Sequence, residues 1–324
     1  MPKKIEDVLV HPLVRAFNPE GKHSLEARWL SKRLNPAARD GLEIAALIPF
    51  TIYPHIKAIP SFQMLLEDLE AGRYEGVHTL VVPSSGNTAH AVARLGPAFG
   101  LKVKVVLAAD VPDSKKGILE ALSSVYVISV PKGESTTRVA LEESQRPGHY
   151  LLDQYGHAGN VRAHELYTGP DIIRACGDVD IIAVSMGSGG TVTGISNCLK
   201  RVNPKVIVIG VRPVRGQQVP GTRDKDKMAE VVTLPWEQAV DHVIEGSRKD
   251  SFIAMRELWS EVEPQPGPSS GLAFVGLKRW MDQLKPRRRE ELFAGKRAAF
   301  ICPDDGRFYS ERTTGELDPD QGLI

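Results

Sequence analysis

The chain has 324 residues, of which 42% are hydrophobic and 25% charged, with a formal net charge of +1. That size supports one large or two medium domains with ordinary cores. The balanced charge gives no pull towards nucleic acid or a membrane surface, and three cysteines (Cys176, Cys198 and Cys302) fit neither a zinc spacing nor an even-numbered disulfide framework.

Residues 1–6 lack the apolar core of a signal peptide, and no apolar run is long enough to span a bilayer, so a cytoplasmic setting is expected. Strand–helix alternation begins near residue 75. Residues 78–83 form an apolar strand-like run, and 89–99 follow with helical spacing and stop at Gly100. A second strand over 102–109, a helix over 112–122, a third strand over 125–130 and a helix over 136–143 come next. A short strand over 150–152 closes this stretch. After residue 157 the pattern predicts a helix, a buried strand over 181–186, a helix over 192–202 and a strand over 205–211. Residues 213–240 break the rhythm, with Pro213, Gly216, Pro220, Gly221 and Pro235 among many charges. They read as a long surface excursion, and such loops often carry function. Helices near 251–262 and 271–284 and a last buried strand over 297–302 follow. The basic run 286–289 reads as a solvated helix end, and the polar tail after Glu311 as loosely held. This alternation predicts an α/β protein with mainly parallel sheets.

Two strand–helix junctions carry the chemistry. Gly187-Ser188-Gly189-Gly190-Thr191 leaves the 181–186 strand and opens the next helix. Glycines let backbone N–H groups converge on an anion, and the helix dipole favours negative charge there. No Gly-Lys-Ser/Thr follows, so the loop is not a P-loop. A dinucleotide fingerprint would need a third glycine at position 192, which is Val192. Taken alone, the loop is equally a tight turn or an anion cradle. The second junction is Ser84-Ser85-Gly86-Asn87-Thr88. Its hydroxyls, amide and helix-start N–H groups suit both oxygens of a carboxylate, and a simple cap needs one such residue, not four.

Together these loops resemble the pyridoxal-phosphate (PLP) enzymes related to cysteine synthase and the tryptophan synthase β subunit. Ser85-Gly86-Asn87-Thr88 is similar to that family's substrate loop, and residues 187–191 to its Gly-Thr-Gly-Gly-Thr phosphate loop, with Ser188 for threonine. His11-Pro12-Leu13-Val14-Arg15, Gln154-Tyr155 with Asn160, His164 and Thr168-Gly169-Pro170, then Gly267-Pro268-Ser269-Ser270-Gly271 and Asp305-Gly306-Arg307-Phe308-Tyr309, resemble further family motifs in order. The resemblance implies the type II PLP fold, with two three-layer αβα domains of mainly parallel sheets. It places a smaller mobile domain over 60–156, carrying the substrate loop, and a larger one over 1–59 plus 157–324, carrying the phosphate loop. A homodimer is implied as well, with no metal, nucleic acid or membrane partner.

The family holds its cofactor on a lysine within Asn-Pro-x-Gly-Ser-x-Lys-Asp-Arg. Here Asn18-Pro19-Glu20-Gly21 imitates the start of that pattern, but its lysine position is Ser24. Lys57 lies 28 residues before Ser85 and Lys22 lies 63 before it. The family spacing, one helix and one turn, selects Lys57, followed by Ala58-Ile59 in place of Asp-Arg. Pro60 suits the first turn of a helix running to Gly72, and apolar neighbours are expected to lower the lysine's pKa.

The roles implied by the resemblance are these. Lys57 is the Schiff-base and proton-transfer residue. Asn87 bonds the cofactor's ring hydroxyl, Gly187, Ser188, Gly189, Gly190 and Thr191 cradle the phosphate, and Ser269 faces the pyridine nitrogen. Ser84, Ser85, Gly86, Thr88 and Gln154 take the substrate carboxylate. A hydroxyl at the pyridine nitrogen makes the ring a weaker electron sink, which suits loss of a β leaving group better than transamination. Arg223, in the Pro220-Gly221-Thr222-Arg223-Asp224 lid position, is a candidate for a substrate phosphate. Arg212 and Arg215 are rivals, and pairing of Arg223 with Asp224 or Asp226 is the plainer alternative. His55, His90 and His157 lie beside these motifs, where a lone histidine is more often structural. The expected activity is β-replacement on O-acetylserine or O-phosphoserine through an aminoacrylate. The alternatives are β-elimination of the serine or threonine dehydratase type and a non-catalytic PLP- or amino-acid-binding relative.

Overall fold

The computed structural model describes residues 3–84, 86–109, 111, 113–122 and 124–309. The chain divides into two compact units, one of residues 1–20 with 57–163 and one of 21–56 with 164–324.

The larger unit is built on six strands: β1 (Glu26–Trp29), β2 (Glu43–Ile48), β7 (Ile181–Ser185), β8 (Ile207–Pro213), β9 (His242–Gly246) and β10 (Arg297–Ile301), in the order β1-β2-β10-β7-β8-β9. All neighbours are parallel except the β1–β2 pair at one edge. Side chains alternate between faces along each strand, and the register lines up rows across the sheet. Ala45, Ala299, Ile182 and Val208 form one row and pack with Ile172, Val192, Ile195 and Leu199 of the Gly169–Cys176 and Gly190–Val202 helices. The next row, Ala46, Phe300, Ala183 and Ile209, faces the other way. It packs with Ala254 and Leu258 of the Arg248–Leu258 helix, Leu272, Phe274 and Leu277 of the Pro268–Asp282 helix, and Phe293. Helices on both faces make this unit three-layered, as expected.

The Arg248–Leu258 and Pro268–Asp282 helices approach closely at Gly271, where a Cβ would overlap the Ser251 carbonyl oxygen and lie 2.7 Å from the Met255 nitrogen. Two backbones cannot yield as a flexible side chain can. Gly271→Ala is therefore expected to cost about 3 kcal/mol in urea unfolding, and an unchanged unfolding midpoint would refute this account of the packing.

The smaller unit carries β3 (Thr79–Pro83), β4 (Lys102–Ala108), β5 (Val125–Val130) and β6 (His149–Leu151), all parallel in the order β5-β4-β3-β6. Val81, Val106 and Val130 pack with Ala140 of the Thr136–Ser144 helix. The Ala58–Glu70 helix packs against the Asn87–Leu95 and Ala158–Ala163 helices. Residues 1–20 join this unit, whereas the sequence expectation grouped them with the larger domain. Lys3 N–H donates to the Phe99 carbonyl, and the Pro12–Phe17 helix packs on Ala58–Glu70.

Strands β1, β2 and β9 were not expected from the pattern. The 213–240 excursion contains a Lys225–Val231 helix, N-capped by the Asp224 carboxylate on the Lys227 amide at 3.0 Å. The 286–289 run is the exposed N-terminal end of a helix of its own, Pro286–Phe293, with proline at its first position. The tail after Glu311 lies outside the described residues. No helix among the described residues is long and apolar enough to cross a membrane.

Candidate active site

In the larger unit, β7 feeds the 187–191 loop, which opens the Gly190–Val202 helix. Gly189 caps that helix with φ +80°, a conformation that favours glycine, and a Cβ there would lie 3.0 Å from Trp236 Cβ. Gly187 is needed for a different reason, because its Cβ would sit 2.5 Å from the Gly221 carbonyl oxygen. The first-turn N–H groups of this helix have no helical acceptor, and Ser188 and Thr191 are buried beside them. The donor set fits a phosphate: converging N–H groups, two hydroxyls and the positive end of a helix dipole.

Thr191 is fixed from below by His164, a buried residue in a π-helical turn over His164–Thr168. His164 Nε2 lies 3.1 Å from Thr191 Oγ1, and its Nδ1 lies 2.9 Å from Thr168 Oγ1. The sequence motif named His164 but assigned it no role; nothing local signals a partner 27 residues away. Ser269 occupies the second position of the Pro268–Asp282 helix and is 3% exposed. Its burial at a helix start suits a hydroxyl meeting a ring nitrogen. At the C-terminal motif, the Tyr309 hydroxyl donates to Asp304 Oδ2 at 2.6 Å, and a Cβ on Gly306 would sit 2.6 Å from the Pro266 carbonyl oxygen.

The three candidate arginines differ. Arg212 pairs with Glu245 at 3.1 Å and Arg215 with Asp226 at 2.5 Å. Asp224 turns its carboxylate to the backbone amides of Lys227 and Gly216. Arg223 is half-buried, and its backbone N–H donates to the Met186 carbonyl at 3.0 Å, one residue before the phosphate loop.

In the smaller unit, Lys57 immediately precedes the Ala58–Glu70 helix. The segment entering it is held in the larger unit, where Ile56 N–H donates to the Pro303 carbonyl at 2.8 Å and His55 bridges Asp304. Lys57 is half-buried, flanked by buried Ile56, Ala58 and Ile59. Lys22 lies instead in the larger unit, its Nζ 6.0 Å from the Tyr53 ring centroid, and burial lowers its pKa.

Strand β3 leads into the second junction. Ser84 Oγ accepts the Gly86 amide at 3.3 Å, Gly86 caps the Asn87–Leu95 helix, and Asn87 is its first residue. Ser85 lies outside the described residues. Thr88 Oγ1 donates to Gln154 Oε1 at 2.8 Å, and both residues are buried. With Oε1 taken as acceptor, the Gln154 NH2 is the end able to donate to an anion. His90, on the same helix, has its pKa lowered by burial and then by the Arg94 charge, so it stays neutral at physiological pH.

The two units thus divide the expected residues. Lys57, Ser84, Gly86, Asn87, Thr88 and Gln154 belong to the smaller, and residues 187–191, Arg223 and Ser269 to the larger.

Comparison with known proteins bears on this donor set. Residues 56–303 match the model of a family described as "Pyridoxal-phosphate dependent enzyme". The chain is 31% identical over 264 residues to a cystathionine beta-synthase of Dictyostelium discoideum, covering 76% of this chain and 51% of the relative, so it spans about half that protein's length. It is 28% identical over 272 residues to cysteine synthase B of Salmonella typhimurium, covering 82% of this chain and 86% of the relative. The fold is similar to a crystal structure of cysteine synthase from Entamoeba histolytica, with TM-score 0.75 and 22% identity over 95% of this chain and 90% of that one. The family match begins one residue before Lys57, ends one residue after Cys302 and takes in both glycine junctions: the chain belongs to the pyridoxal-phosphate-dependent enzymes.

Proposed function

We propose that this enzyme catalyses β-replacement on an activated serine, O-acetylserine or O-phosphoserine, with sulfide or an amine as the incoming nucleophile. The observation that carries the reading is Ser269, a buried hydroxyl rather than a carboxylate at the start of the Pro268–Asp282 helix. When bound, PLP would supply an electron sink for the substrate's α carbon. A hydroxyl facing its ring nitrogen leaves that pull moderate, which favours loss of a β substituent. The cystathionine beta-synthase and cysteine synthase B relatives support the same reading by name.

The chain's own groups take distinct parts. Lys57 Nζ moves the α proton. Asn87 would bond the cofactor's ring hydroxyl, and residues 187–191 would hold its phosphate. Ser84, Gly86, Thr88 and Gln154 grip the substrate carboxylate, with Ser85 assigned to the same grip by the motif alone. The three cysteines are free and buried, which fits a reducing, cytoplasmic setting, and a homodimer is the assembly we expect.

The test is to mix holoenzyme with serine, O-acetylserine and O-phosphoserine one at a time, with and without sulfide. Amino-acid product that forms only when nucleophile is present supports replacement. Steady pyruvate release without nucleophile would overturn it in favour of elimination. Arg223 is the proposed ligand of a substrate phosphate, because the resemblance puts it in the lid position and its backbone N–H holds it to the Met186 carbonyl, one residue before the phosphate loop. Arg223→Ala is expected to raise KM for O-phosphoserine about tenfold or more and to leave O-acetylserine within about twofold. Equal loss with both substrates would remove Arg223 from this role.

A further inference from the structure

The smaller unit holds a buried polar chain whose Asp68 and His157 neither the motifs nor the proposed roles use, although it ends on the Thr88–Gln154 pair. Asp68 lies on the Ala58–Glu70 helix, whose first turn follows Lys57, and its side chain is fully buried. Asp68 Oδ1 accepts Arg73 Nη1 at 2.7 Å and meets His157 Nε2 at 2.8 Å. On the other side of the ring, the Gly159 backbone N–H donates to His157 Nδ1 at 2.9 Å. An amide N–H can only donate, so Nδ1 is the accepting nitrogen and the ring proton of the neutral imidazole sits on Nε2, aimed at Asp68. Both ring nitrogens are thereby committed, and the imidazole has one orientation.

Gly159 has no room for a side chain here. A Cβ would lie 2.9 Å from His157 Nδ1 and 2.7 Å from Glu67 Oε2. Arg162, one turn later, donates through Nε to Glu67 Oε1 at 2.7 Å, tying the same short helix to the Ala58–Glu70 helix. Between these anchors, Asn160 Nδ2 donates to the Gln154 carbonyl at 2.7 Å, and Gln154 Oε1 receives Thr88 Oγ1. The bonds run without a gap from the helix that follows Lys57, through Asp68, His157 and the 157–160 turn, to the Thr88–Gln154 pair.

We propose that His157, locked between Asp68 and the Gly159 amide, is a positioning residue that sets the Gln154 amide for the substrate carboxylate. This rests on the reading of Thr88 and Gln154 as the carboxylate grip. His157 itself touches neither substrate nor cofactor. It fixes the turn that carries Asn160, and Asn160 fixes the Gln154 backbone. A committed network of this kind holds geometry more tightly than its bonds would singly, and an anion-binding amide misplaced by a fraction of an ångström loses much of its bond.

Two substitutions separate the ends of the ring. Gln at 157 places a donor near the Nε2 position and gives up the Gly159 bond; Asn places an acceptor near the Nδ1 position and gives up the Asp68 bond. The measurement is the affinity of PLP-loaded enzyme for L-serine and for L-serinamide, which lacks the carboxylate, read from the change in visible absorption. Gln154→Ala serves as the reference and is expected to weaken serine about tenfold or more, with serinamide unchanged within about twofold. His157→Gln and His157→Asn are each expected to reproduce that split, about fivefold to tenfold on serine alone, and either folded variant suffices. Equal weakening of both ligands means that His157 merely supports the fold, and no weakening means that it does nothing for the grip. Either result overturns the proposal while Gln154→Ala still shows the split. If Gln154→Ala itself treats serine and serinamide alike, the carboxylate-grip reading fails, and this inference fails with it.

Discussion

Replacing Lys57 with alanine is expected to abolish the visible absorption that PLP acquires on a protein lysine and to lower turnover by about a thousandfold or more. Lys22→Ala is expected to keep both. The comparison matters because Lys22 is a real rival: it follows an Asn-Pro-x-Gly stretch, it leans on the Tyr53 ring, and burial lowers its pKa, which leaves more of the amine unprotonated. Geometry separates the two. Lys22 follows Gly21, whose φ is +69°, in an open turn. Lys57 stands at the mouth of a 13-residue helix whose first residues are all buried, at the end of a segment pinned by the Ile56–Pro303 bond. Absorption spectra of both variants after incubation with PLP decide the matter. A band kept in Lys57→Ala and lost in Lys22→Ala would move the chemistry to the other lysine.

Alanine at position 187 is expected to weaken PLP binding at least about tenfold, measured by titrating the apoprotein with the cofactor. The added methyl meets the Gly221 carbonyl, a backbone atom on a segment itself bound to Met186 through Arg223 N–H. Relief requires one of the two loops to move, and the 187–191 N–H groups then lose their common focus. Gly216→Ala is the control. Gly216 has φ +78° and nothing within 4 Å of its would-be Cβ. It should cost about 1 kcal/mol of stability through backbone strain and leave PLP affinity alone. Unchanged affinity in Gly187→Ala would mean that the loop's close approach is incidental to phosphate binding.

Both junctions were readable as a linear pattern of strand, small-residue turn and helix, and Gly187 and Gly189 are demanded there by close approach and by positive φ. The helices over 190–202 and 268–282 and the strands from β3 to β8 were visible for the same reason. β9 was not, since its residues include His242 and Glu245 and only Ile244 and Gly246 are buried, so an edge strand with one partner leaves little periodicity. β1 and β2 precede the regular alternation, and their antiparallel pairing breaks the strand–helix rhythm. The Lys225–Val231 helix hides in the charged excursion because only Met228 is buried. Among the site residues, the 66-residue separation of Thr88 and Gln154 and the pairing of Arg212 and Arg215 with carboxylates leave no local trace. The same holds for His157, whose role depends on an aspartate 89 residues away.

The sheet of the larger unit also dictates when this protein can be finished. β2 lies between β1 and β10, and its β10 partner stands near the end of the chain, with Ala45 opposite Ala299. During synthesis β2 has only β1 to pair with until residues 297–301 emerge, a wait of roughly 10–50 s at ordinary elongation rates. Through that interval the apolar edge Ile44-Ala45-Ala46-Leu47-Ile48 waits unpaired on its β10 side, while the smaller unit, complete at residue 163, has already left the ribosome. Shortening the stretch between β2 and β10 by circular permutation should therefore speed its maturation.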